Sequence, residues 1–161
     1  MTNNFTLSDE GRSYLHIYMK PSKQQTLSRV QFKVDTGADF TTISKKELVS
    51  LGYSYDWIEQ NIKEDTNHTL SRAGGKPQSA YYIQISLSNI LGRELINWPF
   101  YIRKEPHLDF PNLLGLNILT YFNFQFDYRE WIFLIEHIVN PKYKLPMMVE
   151  QSIYDIVSKK G

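Results

Sequence analysis

One short segment of the sequence carries residue types that could do acid–base chemistry. It reads Asp35, Thr36, Gly37, Ala38 and Asp39. The residues at 30–34 alternate between apolar and polar, which predicts a strand that delivers the carboxylate of Asp35 into a tight turn. A carboxylate in that position can act as a general base or a general acid. It can also merely cap the turn, because Asp, Thr and Gly are all common turn residues.

A second segment, at 111–119, places two leucines before a glycine and then a short helix-like stretch. The residues of this motif are Leu113, Leu114 and Gly115. Aromatic residues that alternate with polar ones follow at 122–126 and predict another strand. Each feature is ordinary by itself, and it is their combination with the aspartate segment that is informative.

Other kinds of chemical site lack a signature in this sequence. The four histidines do not have the spacing of metal ligands, and no Gly-x-Ser-x-Gly elbow or glycine-rich phosphate loop occurs. The absence of cysteine excludes disulfides, thiolate metal sites and cysteine nucleophiles. We therefore expect no metal site and no cofactor.

Together the two segments resemble the retropepsin-like aspartic proteases. The resemblance covers roughly residues 14–136 and rests on an apolar strand entering Asp-Thr-Gly-Ala, a helix soon after it, a glycine-bearing loop and the apolar-apolar-Gly motif. It implies an all-β fold, a small closed β-barrel with one or two short helices, and a C-terminal helical tail is expected beyond it. It also implies an aspartic endopeptidase, which hydrolyses peptide bonds.

In that family two aspartates share one proton, so that one activates water and the other acts as the acid. The sequence contains one Asp-Thr-Gly triplet, so the resemblance implies a homodimer in which Asp35 of each subunit meets the other on the two-fold axis. Asp35, Thr36 and Gly37 are then the catalytic triplet. The Thr36 hydroxyl is implied to bond across the dimer, and Gly37 to let the backbone turn tightly.

The resemblance also implies substrate-binding and supporting residues. Ala38 and Asp39 would line the substrate site, although the arginine that pairs with this aspartate in retroviral members is replaced by Leu116. A flap over the substrate is implied at Ala73, Gly74 and Gly75, where the alternative is an ordinary hairpin turn. Leu113, Leu114 and Gly115 would pack behind the active-site loop. The partners implied are a second subunit and a protein or peptide substrate.

The remaining periodicity completes the expected organisation. Strands are predicted at 14–20, 81–88, 95–103 and 131–135, helices at 45–51 and 56–62, and a polar loop at 63–71. We expect a protease domain over 1–138 and an extension over 139–161. That extension is predicted to be helical from about residue 147, because apolar residues recur there at helical spacing.

Composition limits the other classes of function. Hydrophobic residues make up 42% of the 161 residues, which indicates a packed protein of one domain. The net charge of +1 argues against a nucleic-acid partner. Neither a signal-peptide pattern nor an apolar run of about 20 residues occurs, so we expect a cytoplasmic protein with no membrane partner.

Two alternatives to the protease remain open from the sequence. The chain could be a non-catalytic peptide-binding or dimerisation module that keeps the fold. It could also be another all-β protein in which Asp35 only caps a turn. Two Asp35 carboxylates facing each other across a dimer would distinguish the protease from the second of these.

Overall fold

The computed structural model describes residues 2–20, 27–70, 76–103 and 111–137. The strands of these residues are β1 (Thr2–Thr6), β2 (Tyr14–Lys20), β3 (Ser28–Val34), β4 (Lys63–Leu70), β5 (Gln78–Ile90), β6 (Arg93–Ile102), β7 (Leu113–Leu114), β8 (Phe122–Asp127) and β9 (Ile132–His137). The helices are α1 (Lys45–Ser50), α2 (Tyr55–Asn61) and α3 (Leu116–Leu119). The expected C-terminal helix lies outside the described residues, as does the extension that would contain it.

The strands form two sheets, and the larger one brings the two sequence motifs together. The smaller sheet has the order β1-β9-β8. The larger has the order β4-β5-β2-β3-β7, and β6 pairs with β5 off this path. The short strand β7 runs parallel to β3, with Lys33 opposite Leu113 and Val34 opposite Leu114. The strand that leads into Asp35 therefore lies directly beside the Leu-Leu-Gly motif.

The expectation of a closed barrel is wrong, because the sheets are not closed. Among the described residues, the link between β6 and β7 consists of isolated bridges, from Thr42 to Tyr101 and from Thr42 to Leu113. Tyr101 donates its backbone N–H to the carbonyl of Thr41 at 2.9 Å. Pro99, two residues earlier on the same edge of β6, has no N–H with which to continue such a ladder. A proline in a strand predicts an edge or a bulge, and Pro99 lies at an edge.

The predicted period-two strands are confirmed by their burial. In β2 and β3 the alternate positions face the core, and the residues buried there are Leu15, Ile17, Met19, Val30, Phe32 and Val34. Full burial of one such side chain contributes roughly 1.5–3 kcal/mol. A slip of one residue would expose the whole set, so the register of these strands is fixed by the core.

The two predicted helices are present and begin at serine caps. The Ser44 hydroxyl accepts a hydrogen bond from Glu47 N–H at 3.1 Å, and the Ser54 hydroxyl accepts from Trp57 N–H at the same distance. Glu47 lies three residues after Ser44, which is the spacing of a capping box, but the box at α1 forms only in part. The Ser44 N–H donates to Asn112 Oδ1 at 3.0 Å, so it is already satisfied without the Glu47 carboxylate.

The prediction of a polar loop at 63–71 is wrong for residues 63–70, which form β4. This strand pairs antiparallel with β5 and contains a register shift between Asp65 and Thr69. Its residues are mostly polar and exposed, so no apolar alternation marks it in the sequence. The strand β1 was not predicted either, and it is held by pairing with β9. None of the helices in the part of the chain described here is long and apolar enough to cross a membrane.

A buried carboxylate joins β4 to β6. Asp65 is 2% exposed. It accepts a hydrogen bond from the Tyr101 hydroxyl at 2.7 Å and pairs with His68 Nδ1 at 2.9 Å. Burial, followed by the hydrogen bond to Asp65, raises the pKa of Tyr101 far above its ordinary value. The tyrosine is therefore a permanent donor to this carboxylate at any ordinary pH.

Replacing that donor tests its contribution to stability. Tyr101→Phe leaves the buried Asp65 carboxylate with one donor fewer, and such a loss costs about 1–3 kcal/mol. We expect this loss in the free energy of unfolding, measured by urea denaturation at pH 7. Tyr55→Phe is the matched control, because Tyr55 is 59% exposed, and it should be nearly neutral.

The raised pKa of Tyr101 adds a pH dependence to this prediction. An unfolded tyrosine loses its proton above pH about 10, whereas the folded Tyr101 keeps it. The contribution of the Tyr101 hydroxyl to the free energy of unfolding is therefore complete below about pH 10 and is lost as the pH rises further. The stability of the wild type should fall more steeply above pH 10 than that of Tyr101→Phe, and equal slopes would contradict the assignment.

Candidate active site

Asp35 sits where β3 ends and the chain turns away from the sheet. Its N–H donates to the carbonyl of Leu114 at 3.0 Å, which extends the β3–β7 pairing by one residue. Its Oδ1 accepts a hydrogen bond from Gly37 N–H at 2.9 Å, and its carbonyl accepts from Ala38 N–H at 3.2 Å. The carboxylate is half-buried. It thus combines a fixed backbone with access to solvent.

The segment after Asp35 lies against the Leu-Leu-Gly motif. Leu116 N–H donates to the carbonyl of Ala38 at 2.8 Å, and Asn117 N–H donates to that of Asp39 at 3.1 Å. A Cβ on Gly115 would lie 2.4 Å from the carbonyl carbon and oxygen of Phe40. Real Cβ atoms do not approach backbone so closely, so this contact requires glycine. The Leu-Leu-Gly motif therefore packs against the loop that follows Asp35, and its role in supporting an active site stays a prediction.

Two buried polar residues, Thr41 and Asn117, join the same segments from within. Thr41 donates to Asn117 Oδ1 from its N–H at 2.8 Å and from its hydroxyl at 2.7 Å. The Thr41 hydroxyl in turn accepts from Gly115 N–H at 3.1 Å. Because buried polar groups need partners, these bonds hold the two loops at one separation. The sequence interpretation gave no role to either residue, and the signal available was a polar residue inside the apolar run Leu116–Leu119.

Asn112 makes a third connection, at the start of the motif. Its Oδ1 accepts from Ser44 N–H at 3.0 Å, and its Nδ2 donates to the Gln31 carbonyl at 3.3 Å. It therefore connects β3 to the beginning of α1.

The loop also makes aromatic contacts farther along the chain. Phe40 stacks on Tyr101 with ring centroids 4.2 Å apart and meets His68 edge-on at 5.3 Å. The loop is thus anchored to the Asp65 cluster as well.

The structure places the other expected site residues as follows. Thr36, Gly37 and Asp39 are exposed, and Ala38 is half-buried. The Asp39 carboxylate forms no ion pair with any residue in the described ranges, which agrees with leucine rather than arginine at position 116. Leu114 and Gly115 are buried and Leu113 is half-buried. The expected flap residues Ala73, Gly74 and Gly75 lie outside the described residues.

The described part of the chain offers no rival centre for metal chemistry. Within it no group of three or more His, Asp or Glu side chains could hold a metal ion. His16 and His68 lie in different strands, and His68 is paired with Asp65. The half-buried Asp35 and the loop that carries it are the candidate site.

Comparison with known proteins gives a fold. No protein-family model matches the sequence, and no curated protein does. Among solved structures, the chain is similar to the crystal structure of a retropepsin-like aspartic protease from Rickettsia conorii, with a TM-score of 0.59 and 20% sequence identity. The likeness covers 85% of this chain and 91% of the other. The fold is retropepsin-like. At this identity the likeness concerns the fold alone, and the chemistry must be argued from the residues.

The contact at Gly115 gives a test of how this retropepsin-like fold holds its loop. Gly115→Ala puts a methyl group into the Phe40 backbone, which must move because a carbonyl cannot rotate away like a side chain. We expect a loss of about 3 kcal/mol or more in the free energy of unfolding, measured by urea denaturation.

The control for Gly115→Ala is Gly92→Ala. A Cβ at Gly92 meets nothing within 4 Å, but the backbone there has a φ of +84°. That variant should lose only about 1–2 kcal/mol, from conformational strain. If Gly115→Ala were no more destabilising than Gly92→Ala, the close contact would not be a constraint.

Proposed function

We propose that this protein is an aspartic endopeptidase whose active site forms between two subunits. The observation that supports the proposal is the half-buried Asp35 carboxylate on a loop fixed by Gly115, in a fold similar to that of a retropepsin-like aspartic protease. The Asp35 Oδ1 bond to Gly37 is also what a turn-capping aspartate makes, so the proposal rests on the loop and the fold together.

The chemistry requires a second carboxylate. Hydrolysis of a peptide by water needs one group to remove a proton from water and another to protonate the amide. Two carboxylates at contact distance cannot both be ionised, so the pair holds one proton and can supply both roles. One chain has a single Asp-Thr-Gly triplet. The second carboxylate is therefore proposed to be Asp35 of a partner subunit, related by a two-fold axis.

The exposed residues beside Asp35 suit the roles proposed for them. The Thr36 hydroxyl is exposed and makes no hydrogen bond to the described residues, so it is free to bond to the opposite loop. Gly37 leaves space beside the carboxylate, since a Cβ there would lie 3.2 Å from Asp35 Oδ1. Ala38 is half-buried and Asp39 is exposed, and both are proposed to contact the substrate backbone. Ala73, Gly74 and Gly75 are proposed to form the flap.

Removing the acid–base function of Asp35 tests the catalytic proposal. Asp35→Asn keeps the shape of the side chain but cannot share a proton, so peptidase activity should fall by at least about a thousandfold. The assay is the release of fluorescence from heavily labelled casein at mildly acid pH. A peptide containing statine, whose hydroxyl mimics the attacking water, should inhibit the wild type.

The control for Asp35→Asn is Asp56→Asn, which changes an exposed carboxylate in the first turn of α2. It should retain full activity. If purified Asp35→Asn protein cleaved casein as fast as the wild type, Asp35 would not be catalytic. A wild type that binds peptides, forms dimers and never cleaves would instead be the non-catalytic module.

The dimer makes a separate prediction. Specific activity should fall when the protein is diluted below the dimer dissociation constant, which is measured by analytical ultracentrifugation. Thr36→Ala should weaken the dimer by about 1 kcal/mol or more, which is about fivefold in the dissociation constant. Thr66→Ala, an exposed threonine in β4, is the control. Undiminished activity from a verified monomer would exclude the shared site.

A further inference from the structure

A groove runs along the outer face of β2 and β3, beside the candidate site. It encloses about 830 Å³ and is lined by outward-facing side chains of both strands and by the start of the Leu-Leu-Gly motif. Its lining includes Arg12, His16, Arg29, Lys33, Glu47 and Leu113. This volume is within the range of sites that bind ligands in proteins.

The groove borders the strand that leads into Asp35, and the lining residue nearest to Asp35 in the sequence is Lys33. Lys33 and Asp35 are two residues apart, and the backbone bond from Asp35 to Leu114 shows that the extended pairing continues through Asp35. Side chains two apart on a strand point to the same face, about 7 Å from each other. Arg29 lies farther back on that face, about 20 Å from Asp35 along the strand. The groove thus leads away from the carboxylate toward Arg29.

The charge of the groove is positive. Arg29 and Lys33 form no ion pair with any residue that the structure describes, whereas Arg12 pairs with the exposed Glu10 at 3.2 Å. The only carboxylate among the lining residues is that of Glu47. Burial, followed by repulsion from Arg29, lowers the pKa of His16.

We infer that this groove binds acidic side chains of the peptide substrate, and that Lys33 and Arg29 select them. The inference deepens the proposed function and rests on it. An extended peptide advances about 3.3–3.6 Å per residue. A chain seated at Asp35 would therefore pass Lys33 about two residues from the bond to be cleaved and Arg29 about six residues from it. A peptide is favoured over a nucleic acid because the groove borders the strand that leads into Asp35 and carries the Glu47 carboxylate.

Binding can be measured apart from cleavage by using the full-length Asp35→Asn protein. The probe is a fluorescein-labelled tetradecapeptide with glutamates two and six residues from its centre on both sides, and its matched control has glutamines there. By fluorescence anisotropy at low salt, the glutamate peptide should bind at least tenfold more tightly. The difference should shrink as salt is raised, because exposed charges are screened.

Charge reversal tests the two cations. Adding Arg29→Glu and Lys33→Glu should abolish the preference for glutamate and create one for the matching lysine peptide. Lys63→Glu makes the same change on β4, away from the groove lining, and should leave the preference intact. If the double reversal does not fold, Arg29→Gln with Lys33→Gln should still reduce the preference to less than threefold. In the Asp35→Asn protein without the charge reversals, binding of the glutamate peptide should raise the pKa of His16. This pKa is measured by NMR titration.

The outcomes separate this inference from the proposed function. Equal binding of the glutamate and glutamine peptides would overturn the groove assignment even if the wild type cleaves casein. So would a loss of the glutamate preference in Lys63→Glu that is as large as the loss in the double reversal. A glutamate preference that reverses with the charges would uphold it even if the wild type cleaves nothing. Tighter binding of a single-stranded oligonucleotide than of the glutamate peptide would assign the groove to nucleic acid instead.

Discussion

The backbone of Gly115 touches the backbone of Phe40, and the arrangement of the candidate site depends on that contact. The two segments meet at a distance that admits no side chain at position 115. Their approach allows the hydrogen bonds from Leu116 and Asn117 to the carbonyls of Ala38 and Asp39. A loop held along its length in this way has little freedom to move its one reactive side chain, which is a condition for acid–base catalysis.

The contact is supported by a polar core rather than by apolar packing alone. Thr41 is fully buried and Asn117 is 2% exposed, and their hydrogen bonds join residues 76 positions apart in the chain. Apolar side chains could fill the same space, but they do not fix a direction. Hydrogen bonds do, and a buried polar group that loses its partner is costly. This pair therefore favours one relative placement of the two loops.

Function on this scaffold depends on what the fixed loop leaves exposed. Asp35 remains half-buried, while Thr36 and Gly37 beside it are exposed. The proposed second subunit would meet the chain at this surface. The cations Lys33 and Arg29 extend the same face of the sheet away from the carboxylate. Selectivity for the substrate is proposed to lie in Lys33 and Arg29 of β3, and the chemistry of cleavage in Asp35, which directly follows that strand.

The sequence by itself determined the parts of the fold that depend on local pattern. Alternation of apolar and polar residues predicted β2 and β3, and local pattern predicted the two short helices α1 and α2. The strand β4 escaped prediction because its stability comes from pairing with β5 and from the buried Asp65, and neither leaves an apolar alternation. The roles of Thr41 and Asn117 also could not be predicted, since a polar residue becomes a buried connector only when a distant segment supplies its partner. Only the tertiary structure decided that the sheets stay open. Closure depends on whether two strand edges that are far apart in the sequence meet. At Pro99 the edge of β6 has no N–H that could donate to a neighbouring strand.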